Sequence, residues 1–175
     1  MSDSSKPVSP AGRHHLHGGR SLGVAIVSVS DTHTEEDDVS GHLARSLFTE
    51  GGHKVVHYHL VANSVADVRD ILEPYLADRQ VEVAVTVGGT GVSSRDLTVN
   101  ALEVMGGKQL EGFGELYRSM SFDEVGPLAM LSRASLFVVK QKPVFALPGS
   151  ERAVRTAIEK LILPAVQHLV EELER

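Results

Sequence analysis

Residues 22–29, Leu-Gly-Val-Ala-Ile-Val-Ser-Val, form a nearly continuous apolar run. A strand with one wet face alternates apolar and polar side chains; a run without that alternation belongs in a strand covered on both faces, and helices supply the cover. A second buried strand is predicted over residues 81–87, and it runs straight into Gly88-Gly89-Thr90-Gly91. Segments of helical spacing fill the intervals. Leu43, Leu47 and Phe48 recur on one helix side before a stop at Gly51-Gly52, and Val65, Val68, Ile71, Leu72 and Leu76 do so from about Ser64 onward. Strands alternating with helices imply an α/β fold, a three-layer α/β/α sandwich around a mostly parallel sheet with right-handed crossovers.

The remaining elements are read in the same way. Residues 54–61 alternate, with Val55, His57 and His59 on one face and Val56, Tyr58 and Leu60 on the other, as in a partly exposed strand near the sheet edge. His57 and His59 lack a third metal ligand, so that face is read as solvated or as an interface. Pro74 predicts a kink or break in the second helix. A short helix over residues 97–105 takes Asp96 or Thr98 as its N-cap. Residues 115–135 read as helical with a break at Gly126-Pro127, after which Leu128, Leu131 and Ala134 form an inward stripe. Strands over residues 136–140 and 144–147 flank a turn at Gln141-Lys142-Pro143, and a final helix starts with Ser150 as N-cap and divides at Pro164.

In an open parallel sheet, ligands bind outside the carboxyl ends of the strands. The segments after Val29, Val87 and Leu147 all lie at such ends, so three pieces of chain converge on one crevice. The glycine turn is its most specific part. Three glycines and Thr90 in four residues exceed the needs of a tight connection; they let the backbone take positive φ and leave N–H groups facing outward, an anion cradle suited to phosphate or a pterin. No Gly-Lys-Ser/Thr follows, and the spacing is not that of a dinucleotide fold. Asp96 beyond the turn is either a helix cap or, because a carboxylate beside a phosphate cradle repels it unless a cation intervenes, a Mg²⁺ ligand.

A net charge of −6 without a Lys/Arg stripe gives no electrostatic footprint for nucleic acid. The absence of cysteine excludes disulfides and thiolate metal sites and fits a reducing cytoplasm. No apolar run approaches the roughly 20 residues of a membrane span. At 175 residues with 42% apolar content the chain suits one domain, residues 21–175. Residues 1–20, rich in Ser, Pro, Gly and His, are expected to be a disordered tail in which His14, His15 and His17 have no scaffold for a metal.

Four segments together resemble the molybdopterin-binding family of the MoaB/MogA type. They are Ser28-Val29-Ser30-Asp31-Thr32 with Glu36-Asp37-Asp38-Val39-Ser40-Gly41; the glycine turn with Arg95-Asp96; Glu111-Gly112-Phe113-Gly114-Glu115-Leu116 running to Gly126-Pro127 and Ser132-Arg133-Ala134; and Leu147-Pro148-Gly149-Ser150. The resemblance runs from about Leu22 to the end of the chain. It implies molybdenum cofactor biosynthesis, binding of molybdopterin, adenylylation of its phosphate with Mg-ATP, and assembly as homotrimers or homohexamers. Asp96 takes the place of an essential aspartate of the adenylylating members and would hold Mg²⁺. Ser30 and Asp31 either bind the pterin or cap their loop. Ser132 and Arg133 are assigned to an anionic group of the ligand, against the alternative of a solvated arginine on a helix. Pro148, Gly149 and Ser150 form a helix start suited to an anion, although Glu151 beside it repels a phosphate unless it turns away. Phe113 stacks on a ring or anchors its loop.

One position departs from the family pattern. A second aspartate expected after the second strand is replaced in Leu60-Val61-Ala62-Asn63-Ser64 by Asn63, which offers a carbonyl but no charge, and the acidic loop from Glu35 to Asp38 is either a substitute or a solvated run. Two readings follow: a molybdopterin adenylyltransferase, and a pterin-binding carrier of the same pathway that transfers no nucleotide.

Overall fold

The computed structural model describes residues 19–175; the histidines of the tail lie outside the described residues. Strands β1 (Gly23–Val29), β2 (Lys54–Val61), β3 (Val83–Val87), β4 (Lys108–Gln109), β5 (Ser135–Val139) and β6 (Lys142–Leu147) form one sheet in the order β2-β1-β3-β6-β5-β4. The first four of these are mutually parallel, whereas β5 runs antiparallel to both β6 and β4. Helices α1 (Val39–Glu50), α4 (Glu111–Val125), α5 (Glu151–Ala157) and α6 (Leu163–Leu173) cover one face, and α2 (Val65–Ala77) and α3 (Thr98–Val104) the other. This is the three-layer sandwich that the unalternated runs imply. Val24 and Ile26 of β1 join Val83, Val85, Phe145 and Leu147 under α1 and α5, while Ala25 and Val27 join Ala84 and Ala146 under α2 and α3. Each central strand is buried twice.

Several local expectations change. A register shift after Val24 leaves Val56 as an extra residue on β2, so Val55 packs on the same face as Tyr58, and Val56 packs on the opposite one. Beyond the bulge, His57 lies 4.3 Å from Tyr75 of α2 in a parallel stack, and its Nε2 is 2.8 Å from Asp78 Oδ2. His59 Nδ1 pairs with the Tyr75 hydroxyl at 2.8 Å, so both rings belong to the α2 packing. Pro74 does not break α2: it sits in the last turn, where only the carbonyl of exposed Asp70 loses its donor. The β5–β6 turn is Lys140-Gln141, both at positive φ, and Pro143 lies inside β6 beyond the reach of β3.

The stretch after Gly126 is a 3₁₀ segment, Gly126–Leu131, and it is no inward stripe. Leu128 and Leu131 face outward and Ala129 takes the buried position, since a three-residue turn rotates the apolar side away from the α-helical spacing; of the expected stripe only Ala134, beyond the segment, is buried. Pro164 is absorbed without a break in the helical path: a π segment, Ile158–Ile162, links α5 to α6 and accommodates the missing donor.

Candidate functional site

The carboxyl ends of β1, β3 and β6 open into a crevice of about 900 Å³. The loop after β1 contributes Ser30 and Asp31, the turn after β3 contributes Gly88, Gly89, Thr90, Gly91 and Asp96, and the loop after β6 contributes Pro148, Gly149 and Ser150. Ser132 lines it from the end of the 3₁₀ segment. Arg133 does not: its guanidinium turns to Asn100 Oδ1 at 3.0 Å, and its part in the crevice is a backbone N–H donated to the Thr90 carbonyl at 2.9 Å. Phe113 meets Phe145 edge to face at 5.2 Å and anchors its loop in the core.

The glycine turn is held from below. Gly88 N donates to the Leu147 carbonyl, Thr98 N to the Gly89 carbonyl, and the Thr98 hydroxyl to the Gly88 carbonyl at 2.8 Å. Gly88 and Gly89 take φ of 104° and 64°, but Gly91 serves differently: a Cβ there would lie 2.6 Å from Asp96 Oδ2, so its bareness makes room for the carboxylate. The N–H groups of Gly89, Thr90 and Gly91 find no backbone acceptor among the described residues. Donors left in this state at a strand end form an anion cradle.

Neither Asp96 nor Thr98 caps α3, whose N-cap is Leu97 with no side-chain bond. Asp96 accepts the Ser93 N–H through Oδ2 at 2.8 Å, which folds its own loop and leaves Oδ1 without a protein donor. The Leu97 N–H goes to Asn63 Oδ1 at 3.1 Å, and the Asn63 N–H goes to Asp31 Oδ1 at 2.8 Å. Asn63 therefore ties the ends of β1 and β2 to the glycine loop. The Ser40 hydroxyl similarly donates to the Gly149 carbonyl at 2.7 Å, and Ser150 caps α5 by accepting the Ala153 N–H.

Sequence reasoning passed over two groups. Asp38, placed in a solvated or compensating acidic run, is buried; it caps α1 through Gly41 N and accepts the Tyr58 hydroxyl at 2.6 Å. Its position just ahead of the Leu43, Leu47 and Phe48 spacing is an N-cap signal. His33 joins the β1 loop, where its Nδ1 lies 2.9 Å from Ser30 Oγ. Ser30 Oγ also accepts the Thr32 and His33 N–H groups at 3.2 Å, so this hydroxyl caps its loop while it lines the crevice.

The electrostatics are one-sided. Asp31, Asp37, Asp38, Asp96 and Glu151 line the crevice against one guanidinium, that of Arg95. Thr34 N–H and hydroxyl donors hold the Asp37 carboxyl below its ordinary pKa. An anionic ligand would enter such a crevice only with a divalent cation to offset the repulsion. Mg²⁺ bound with substrate phosphates needs only one or two carboxylates from the protein, and Asp96 and Asp31 each have one oxygen without a protein donor. The donor set fits that ion. Among the described residues no group of three acidic or histidine side chains could hold a metal unaided, and no helix is long and apolar enough to cross a membrane.

Residues 25–168 match the model of a family described as a probable molybdopterin binding domain. The molybdenum cofactor biosynthesis protein B of Bacillus cereus is 40% identical over 163 residues, which cover 93% of this chain and 96% of that protein. A crystal structure of a molybdenum cofactor biosynthesis protein B superposes with a TM-score of 0.87 at 42% identity, covering 90% of this chain and 99% of the other. The tungsten cofactor synthesizing protein MoaB of Pyrococcus furiosus gives 0.81 at 30% identity, covering 90% and 100%. Family model, relatives and fold agree, and the chain belongs to the MoaB-type molybdenum cofactor biosynthesis family.

Proposed function

We propose that this crevice binds molybdopterin and transfers an adenylyl group from Mg-ATP to its terminal phosphate. A phosphate oxygen of molybdopterin attacks the α-phosphorus of ATP, the bond to the β-phosphate breaks, and pyrophosphate leaves. The observation that carries this reading is the pairing of unpartnered N–H donors at Gly89, Thr90 and Gly91 with the Asp96 carboxylate at the same turn. The donors orient phosphate oxygens, and the carboxylate supplies a place for the cation that must accompany them. Bound Mg²⁺ would neutralise charge on the phosphoryl oxygens. The protein's own work is positioning: the loops of β1, β3 and β6, tied by Asn63, Ser40 and Arg133, hold both phosphates in one frame.

The test is anaerobic incubation with molybdopterin and Mg-ATP, following pyrophosphate and adenylylated pterin, with Asp96→Asn beside the wild type. A carboxamide oxygen can still accept the Ser93 N–H, so this variant removes charge while keeping the loop. Product that disappears in Asp96→Asn supports the transferase; wild-type protein that makes no product refutes it. The second reading, a molybdopterin carrier, is favoured by one observation: the Asn63 carbonyl is spent on the Leu97 N–H and brings no charge to a cation. Tight pterin binding without product would establish it.

We further propose a homotrimer or homohexamer. Phe122, Val125, Leu128, Met130 and Leu131 stand exposed along the end of α4 and the 3₁₀ segment, with Met130 77% accessible, a density of bare apolar side chains that marks an interface. A cytoplasmic site of action is in keeping with a chain that contains no cysteine.

A further inference from the structure

A second groove, of about 680 Å³, lies where α1 ends and the edge strand β2 begins. It shares no residue with the crevice, and its volume is in the range of small-molecule pockets. His42 and Arg45 line it from one side of α1, and His53 and Lys54 line it from the entry to β2. Arg45 is held in place by Tyr58, its guanidinium lying 4.9 Å over the centre of that ring. No ion pair among the described residues engages Arg45 or Lys54. Nor are they spent on the C-terminus of α1, because the carbonyls of Leu47, Phe48 and Thr49 already accept the N–H groups of Gly51, His53 and Gly52. His53 adds a donor of another kind. It is 7% exposed, and its Nδ1 accepts the Leu22 N–H at 3.2 Å, which places the proton of the neutral ring on Nε2. Burial, opposed only in part by Glu82, holds its pKa below the ordinary histidine value, so the ring stays neutral and the tautomer fixed. The ring lines the groove, and its Nε2–H has no acceptor among the described residues, a state that native proteins seldom leave to a buried donor.

Donors therefore outnumber acceptors in this groove. Two cations, a fixed N–H and the imidazole of His42 share it with one carboxylate, that of Glu50. The crevice has the opposite balance, five carboxylates against one guanidinium. An oxyanion is attracted here without a metal ion, whereas in the crevice it needs one. A phosphate presents several oxygens in different directions, which suits a guanidinium fork, an ammonium and a single N–H arriving from separate elements; a carboxylate has two oxygens in one plane and is satisfied by the guanidinium alone. We propose that this groove is a second ligand site, specific for a phosphate group, free or carried by a small molecule, with its oxygens on Arg45, Lys54 and the His53 Nε2–H. The volume admits an organic remainder beside the phosphate. The site stands whether or not the crevice transfers an adenylyl group.

The full-length protein is dialysed to equilibrium against radiolabelled inorganic phosphate with EDTA present, a condition in which the acidic crevice repels the ion. Saturable binding of one phosphate per chain is expected. Arg45→Gln combined with Lys54→Gln should weaken it at least about tenfold, through lost charge-assisted hydrogen bonds. Arg152→Gln combined with Lys160→Gln removes the same charge from α5 and the π segment and should change binding by less than about twofold. All four side chains are exposed, so both double variants are expected to fold. Ribose 5-phosphate competing with the label separates the two sources: tighter binding than inorganic phosphate assigns an organic phosphate, equal binding assigns the free ion, and each supports the site. In ¹⁵N-labelled protein the His53 Nε2–H resonance should shift as phosphate saturates, and a resonance that stays in place overturns the part given to His53. No saturable binding overturns the site. Equal losses in the two double variants would reduce it to charge attraction, and a loss in Arg95→Gln instead would place the ion in the crevice; both outcomes overturn the proposal. Acetate that displaces the label as well as unlabelled phosphate does overturns the specificity for phosphate.

Discussion

Replacing Gly88 by alanine separates two causes of cost that usually arrive together. Its φ of 104° lies in the region side chains rarely adopt, and an added Cβ would stand 2.3 Å from the Val29 carbonyl oxygen. The first cause costs roughly 1–2 kcal/mol. The second is a collision with backbone: Val29 ends a strand paired to both β2 and β3, and relief requires moving the sheet at the crevice, an overpacking cost of about 1–3 kcal/mol. Gly106 supplies the control, because its φ of 71° is also positive but a Cβ there meets nothing within 4 Å. Gly106→Ala should therefore lose about 1–2 kcal/mol, and Gly88→Ala about 2–5 kcal/mol. Urea denaturation followed by circular dichroism, at matched protein concentration and with the m-value checked for constancy, measures both. Equal losses in the two variants, to within about 0.5 kcal/mol, would refute the claim that the Val29 carbonyl dictates glycine at the head of the turn.

Asn63→Ala should cost about 1 kcal/mol, since the Leu97 N–H loses its acceptor, whereas Asn63→Asp keeps the acceptor and adds charge; on the transferase reading it raises Mg²⁺-dependent pyrophosphate release, and an unchanged rate counts against a second carboxylate there. Burial first, and then Asp38, hold the Tyr58 phenol above its ordinary pKa. That stability is present below the ordinary tyrosine value of about 10 and is lost as pH rises beyond it, so the gap between wild type and Tyr58→Phe in urea midpoints should hold up to about pH 10 and narrow above it. A constant gap would show that the phenol contributes no proton linkage. Phe122→Asp combined with Met130→Asp places charges on the bare end of α4 and the 3₁₀ segment; light scattering should then fall from a multiple of 18.8 kDa to that mass, and a wild type already at 18.8 kDa would end the oligomer proposal.

Much of the candidate site is legible in the sequence because its parts are local. The run at residues 22–29 announces a strand buried twice, and three glycines with Thr90 within four residues announce a cradle, each through neighbours in sequence. Ser150 capping α5 and the stop at Gly51 are likewise short-range. What escaped depends on partners far along the chain. Asp38 read as a solvated acid because its place beneath Tyr58 requires β2 to pair with β1, and Arg133 read as an anion ligand although Asn100 claims its guanidinium. The swap of Val55 and Val56 between faces follows from a one-residue bulge, to which no propensity pointed.

Periodicity and turn chemistry alone thus determined an α/β chain with a mostly parallel sheet and a glycine-lined crevice at its strand ends, because these rest on side-chain period and on backbone freedom at glycine. Only the tertiary structure decided which polar groups share that crevice. Asn63 bridges Asp31 and Leu97, Asp38 takes the Tyr58 hydroxyl, and Arg133 turns away; each outcome depends on which distant residue reaches a donor or acceptor first, and register and packing set that.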